Sequence, residues 1–178
     1  MTPSTTRPSE LTLPAASIAA LRHALATSVG EAAAADALRA AGHAAGDSLF
    51  RILAGDGDAA GMPASQFWSG VSRLFSSRGW GQLSFSQVHP GVGALDAGDW
   101  AEAATATADQ PSCHFTTGML ANLIGRTANA EIAVLEVECR SRGDARCRFL
   151  FGGPDALDGV YQSVAAGAAT EAALTRLG

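Results

Sequence analysis

The sequence contains no lysine: all 12 of its basic side chains are arginine. That absence excludes a Walker phosphate loop and any Schiff-base chemistry, both of which need an amine. The arginines are scattered and the formal net charge is −5, so there is no basic stripe of the kind that grips a nucleic acid. No apolar run is long enough to cross a bilayer, and no leading segment has the charged-then-apolar form of a signal peptide. The expected location is therefore the cytoplasm. Neither a Gly-x-Ser-x-Gly elbow nor a His-Glu-x-x-His pair occurs, and no catalytic residues are expected. Cysteine is scarce as well, with three residues: Cys113, Cys139 and Cys147. In a reducing compartment, clustered thiols more often hold a metal than pair with one another.

What is present suits one globular unit. With 178 residues, 47% hydrophobic and 16% charged, the chain can bury one sizeable core. Residues 1–13 form a polar tail without periodicity, expected to be disordered, and residues 14–178 are expected to be a single domain. Pro14 suits a first helical turn, with Ile18, Leu21 and Leu25 on one face. A second helix over residues 31–54 carries Leu38, Leu49 and Ile52 on one stripe, flanked by Gly42 and Gly46. That bare backbone invites a close helix neighbour, and a partner copy of the chain is one candidate. Residues 55–64 read as a loop in which Asp56 and Asp58 lack the rest of a calcium-binding pattern. Ser65 is a candidate cap for a third helix, which ends at Arg78-Gly79.

Strands are expected over residues 82–88 and 92–95, separated by Pro90-Gly91. The spacing of Trp100, Ala104 and Ala108 within 96–110 fits either period. Ser112 is a candidate cap for a helix bearing Phe115, Met119 and Leu123. A hairpin over 132–139 and 145–151 follows, and Pro154 opens a last helix along Leu157, Val160, Tyr161 and Val164. Helices first, then strands, helix, hairpin and helix make an α+β fold, an antiparallel sheet with helices packed on it.

The hairpin brings thiols together. With Arg142-Gly143-Asp144 as its turn, Cys139 lies opposite Cys147, at a spacing suited to two sulfurs on one zinc. Cys113, just before a helix, can supply a third thiolate. A structural zinc needs four ligands. Glu136, Glu138, His114 and Asp144 are the candidates for the fourth, and strand geometry does not choose among them. In a regular strand both glutamates point away from Cys139, so either would need a bulge to reach the metal.

The string Cys113-His-Phe-Thr-Thr-Gly118, Glu136-Val-Glu-Cys139 and Gly143-Asp-Ala-Arg-Cys147-Arg-Phe149 resembles the 4-vinyl reductase domain family, as do Gly79-Trp80-Gly81 and the helix before them. The resemblance spans roughly residues 14–170. It is most specific in the cysteine–glutamate spacing, at which aromatic-sensing members of that family hold zinc. By resemblance the ligands are Cys113, Glu136, Cys139 and Cys147 around a structural zinc with no open position. The family is related in fold to vesicle-tethering subunits that enclose an apolar pocket. Its phenol-sensing members carry a tryptophan shortly before the first zinc cysteine, which residues 89–95 here do not.

The resemblance implies a stand-alone, zinc-stabilised module binding a hydrophobic or aromatic small molecule, as a sensor or carrier and as a homodimer. An enzyme or accessory of tetrapyrrole metabolism and an assembly subunit are the alternatives. The expected pocket lies between two apolar helix faces and the sheet. Phe67, Trp68, Val71 and Phe75 come from one helix and Phe115, Met119 and Leu123 from the other. Leu83, Phe85 and Phe149 line the sheet, and Tyr161 or His89 supplies a polar end.

Overall fold

The computed structural model describes residues 10–55, 62–104 and 107–177. Most of the expected polar tail, with Asp56 and Asp58, lies outside them. Within them the order is α1 (Ala15–Val29), α2 (Glu31–Ala54), α3 (Ala64–Ser76), β1 (Ser84–His89), β2 (Val92–Ala97), α4 (His114–Ala128), β3 (Ala133–Glu138), β4 (Cys147–Gly152), α5 (Pro154–Ala165) and α6 (Thr170–Thr175). The strands form one antiparallel sheet in the order β1-β2-β4-β3. The fold is α+β, as the order of sequence patterns implies.

The sheet is the middle layer of three. On one face Leu95, Ala97, Cys147 and Phe149 meet Phe67, Val71 and Phe75 of α3 and Met119, Leu120 and Leu123 of α4. On the other, Val92, Ala94, Val137 and Leu150 meet Leu157 and Val160 of α5 and Leu174 of α6. Each such Val, Leu, Met or Phe side chain contributes roughly 1.5–3 kcal/mol when removed from water. The central strand β2 is buried on both faces, which is why small residues such as Gly93 and Ala94 suit it and why its alternation is faint.

The close neighbour that α2 invites is α4 of the same chain. A Cβ on Gly42 would overlap the Phe115 carbonyl, and one on Gly118 would overlap the Arg39 carbonyl. A Cβ on Gly46 would lie 2.5 Å from the Met119 oxygen. The backbones touch here, so these glycines are used up within the protomer and do not point to a second copy. Helix α1 buries no residue completely and leaves Leu21 exposed.

Two helix starts differ from the sequence reading. Helix α3 begins at Ala64, before Ser65, with Pro63 at its cap and no side-chain cap bond. Helix α4 is not capped by Ser112, whose hydroxyl is 2.8 Å from that of Ser141. The ambiguous stretch opens as the end of β2, Asp96 and Ala97, and after Trp100 makes a short 3-10 turn, Ala101–Ala103, with Trp100 and Glu102 both buried.

Candidate metal centre

Cys113 precedes the first residue of α4, Cys139 follows β3, and Cys147 opens β4. The intervening chain is not a three-residue turn. A 3-10 turn at Arg140–Arg142 leads to Gly143 in the left-handed region at φ 99°. The Cys139 carbonyl accepts from the N–H groups of Arg142 and Asp144 at 2.9 and 3.2 Å. Asp144 Oδ2 in return accepts from the Cys139 N–H at 2.7 Å and pairs with Arg142. These bonds fix the loop so that Cys139 faces Cys147.

The bulge that would free a glutamate is present. Pairing runs Glu136↔Phe149 and then Glu138↔Arg148, with the register broken between them. One extra residue reverses the alternation. Val137 still follows Leu135 onto the α5 face and Glu136 lies on the face of Phe149, and the break then brings Cys139 back to the face of Glu136. Glu138 goes the other way, into a network with Arg146 at 3.0 Å, Arg148 at 3.8 Å and, through the arginines, Asp96 and Glu171. His114 stays half-buried outside the cluster, and Asp144 is spent on the loop.

The donor atoms of Cys113, Glu136, Cys139 and Cys147 all lie within 4.8 Å of one another, and all four residues are buried. The Cys113 sulfur is 3.7 Å from that of Cys139 and 4.0 Å from that of Cys147. A tetrahedral centre with metal–sulfur bonds of about 2.3 Å separates its sulfurs by about 3.8 Å. The spacing is too long for a disulfide, and all three thiols are free. Glu136 Oε2 accepts from the Cys113 N–H at 2.8 Å, but Oε1 is buried without a hydrogen-bond partner. A buried carboxylate oxygen without a donor is costly, and a cation beside it removes that cost. The residues present therefore fit a metal ion.

The electrostatics agree. Burial pushes the Glu136 carboxyl up to about 9, and the negative charge of Cys139 adds to it. Cys139 is held far below the usual thiol range because Cys113, Cys147 and Ser141 donate to its sulfur. Cys113, the donor in those bonds, is pushed up. Cys147 gains from the Cys113 thiol but is pushed up to about 12 by its bond to Cys139 and by burial. Protons fill the place of a cation: one thiolate forms readily and the other donors hold their hydrogens until positive charge arrives.

Sequence reasoning missed a second carboxylate. Glu102, 5% exposed, accepts from the N–H groups of Phe115 and Thr116 at 3.0 and 2.9 Å and from the Thr116 hydroxyl. Burial pushes it up to about 7. Glu102 and Glu136 together take the place expected of Ser112 and satisfy the unpaired donors of the α4 start, where the helix dipole favours negative charge. Thr116 also accepts from Trp100 Nε1 at 2.8 Å, so that indole N–H is already satisfied by the protein. Ser141 is likewise unmarked in the sequence, and its hydroxyl lies 2.9 Å from the Cys139 sulfur. Neither residue has a spacing signal, because both act from irregular segments.

Of the expected pocket residues, Phe67, Val71, Phe75, Leu83, Met119, Leu123 and Phe149 share one buried cluster with the three cysteines. Trp68 and Phe115 pack against its edge. Phe85, on edge strand β1 and 37% exposed, stacks on Trp68 at 4.3 Å. Two are not brought there. His89 sits at the β1–β2 turn, its Nδ1 accepting from the Gly91 N–H at 3.3 Å. Tyr161, 53% exposed, belongs to α5, which packs on the opposite face of the sheet.

Residues 98–152 match the family model of the 4-vinyl reductase domain, a shorter span than the resemblance suggested. No curated protein matches the sequence. Among solved structures, the phenol-responsive sensory domain of the transcription activator PoxR, crystallised with phenol, is similar over 90% of this chain and 84% of its own, at 18% identity and a TM-score of 0.72. A vinyl-4-reductase family protein from Methanocaldococcus jannaschii aligns over 58% of this chain and 66% of its own, at 18% identity and a TM-score of 0.42. The family model thus covers the metal-site stretch, from the turn that presents Glu102 to the end of β4.

Proposed function

We propose that the protein is a zinc-stabilised module that binds a hydrophobic, aromatic small molecule and acts as a sensor or carrier in the cytoplasm. One observation carries this reading: α4 joins the two parts. Its start holds Cys113 against Glu136, and its buried face presents Met119 and Leu123 to the aromatic layer of Phe67, Phe75 and Phe149. Three thiolates and one carboxylate are a donor set for zinc, and four protein ligands leave no position for substrate. Bound there, zinc supplies cross-linking of the α4 start to β3 and β4. The fold shared with a phenol-responsive sensory domain supports an aromatic ligand. We place that ligand between α3 and the sheet, where Trp68, Phe85 and Phe151 form an aromatic edge reaching solvent.

The homodimer, expected from the α2 glycines and from the resemblance, loses the glycines as support because they are consumed internally, and we propose instead the exposed Leu11, Leu13 and Leu21 of the α1 region as its surface. Leu21→Glu should then halve the mass measured by light scattering.

Native mass spectrometry of protein purified under reducing conditions tests the metal, with one zinc per chain expected. Titration of the zinc-loaded protein with phenol and alkylbenzenes, followed by tryptophan fluorescence and melting temperature, tests the receptor. Saturable quenching with a raised melting temperature is expected. Zinc-loaded protein that responds to none of these compounds would remove the receptor reading.

A further inference from the structure

Cys113, Cys139 and Cys147 are each 0% exposed, whereas Glu136 is 8% exposed, though its Oε1 is itself closed off from water. Glu136 is also the one member of the set that lines a cleft of about 550 Å³ between the α4 start, β3 and α5. His114 and Thr117 of α4, Val137 of β3 and the exposed Tyr161 and Ala165 of α5 line it as well. The thiols share one buried apolar cluster with Trp100, Phe149 and Leu120.

We propose that this cleft is the route by which the metal ion enters and leaves, with Glu136 as the ligand that opens first. This rests on the zinc reading above and adds how the site is loaded. A carboxylate is a harder and more easily exchanged zinc ligand than a thiolate. Glu136 can release the ion while its Oε2 keeps the Cys113 N–H, so the first step costs no helix cap. It also sits beside the register break in β3, where the ladder is already interrupted. On loading, the Glu136 Oε1 turns toward the cleft to meet a hydrated divalent cation, which loses water there and passes to the sulfurs. The protons displaced from the thiols leave to water through the same opening. The reverse path breaks the Glu136 bond first and returns protons to the thiolates.

The test uses full-length, zinc-loaded protein and excess isotopically enriched zinc, with exchange followed by native mass spectrometry. Ala165 lies on the exposed rim, so Ala165→Trp narrows the cleft without entering the core. Ala130→Trp is the control, on the rim of a separate cleft beside His43 and Asn122. Exchange should slow by about tenfold in Ala165→Trp, quicken in Tyr161→Ala, and stay unchanged in Ala130→Trp. Affinity, from competition with a chromogenic chelator, should stay the same in all three, because a narrowed passage slows entry and exit alike. Wild-type exchange rates in both cleft variants would overturn the proposal, as would equal slowing in the two tryptophan variants. A change of affinity without a change of exchange would overturn it too. A protein that binds no zinc would overturn the zinc reading and this route with it. Zinc bound at full stoichiometry, with exchange indifferent to the cleft, defeats the route alone.

Discussion

The Cys113 N–H donates to Glu136 Oε2 at 2.8 Å, so one carboxylate both closes the start of α4 and faces the three thiols. The bulge in β3 makes this possible. Glu136 and Glu138, two residues apart, serve opposite faces of the sheet.

Exchanging each glutamate for glutamine should separate them. Glu136→Gln removes a metal donor and should weaken zinc binding by at least about tenfold. Glu138→Gln loses ion pairs with Arg146 and Arg148 and should leave zinc affinity unchanged, at a stability cost below about 1 kcal/mol. Chelator competition and thermal melts on the two variants provide the measurement. Equal loss of zinc from both would remove the assignment of Glu136.

Metal removal should act through the same atoms. Treatment with a chelator under reducing conditions should lower the melting temperature of the wild type, because on the proposed reading a zinc held by these four residues would tie α4, β3 and β4 together and its binding energy would become folding energy. Cys147→Ser should start from the lowered value, and the chelator should change it no further. A chelator effect as large in Cys147→Ser as in the wild type would mean that the stabilising metal lies elsewhere.

These residues also show what the sequence reveals and what it does not. Spacing alone places Cys139 against Cys147 and marks α2 at its observed bounds, because helix period and hairpin register are local. The choice of Glu136 over Glu138 is invisible locally, since it depends on a bulge that only pairing with β4 creates. Resemblance supplies it. Glu102 is hidden for a related reason: it caps a helix from a short turn across the fold, and no spacing rule links residue 102 to Phe115 and Thr116. Gly42 and Gly46 announce a close approach, but one sequence does not tell a helix of the same chain from one of a partner.

That close approach predicts a monomer effect. Gly42→Ala and Gly118→Ala each force a methyl into an opposing carbonyl and should destabilise by roughly 1–3 kcal/mol or more. Gly98→Ala, with open space at its Cβ, should stay within about 0.5 kcal/mol of wild type. Urea unfolding provides the comparison, with light scattering alongside it. A loss of oligomeric mass in Gly42→Ala without loss of stability would return the glycines to a subunit interface.

Glu102 predicts a dependence on pH with a definite sign. Its folded value is raised from the ordinary 4.5 to about 7, chiefly by burial, so the folded state binds the proton more tightly than the unfolded chain. Its contribution is fully present below about 4.5 and is lost as pH rises through about 7. The carboxyl is almost wholly removed from water, so screening does little to reduce the effect. Glu102→Gln keeps an oxygen for one helix N–H but leaves the second without an acceptor, so it should be less stable than wild type at pH 5.5. Only the wild type has a proton to lose there. Its advantage should therefore shrink by roughly 2 kcal/mol, in order of magnitude, between about pH 5.5 and 7.5. Urea unfolding of both zinc-loaded proteins across that range gives the difference, in which effects of pH on the metal site itself cancel. A gap that stays constant, or widens toward pH 7.5, would mean that Glu102 is ionised throughout and caps α4 as a permanent anion.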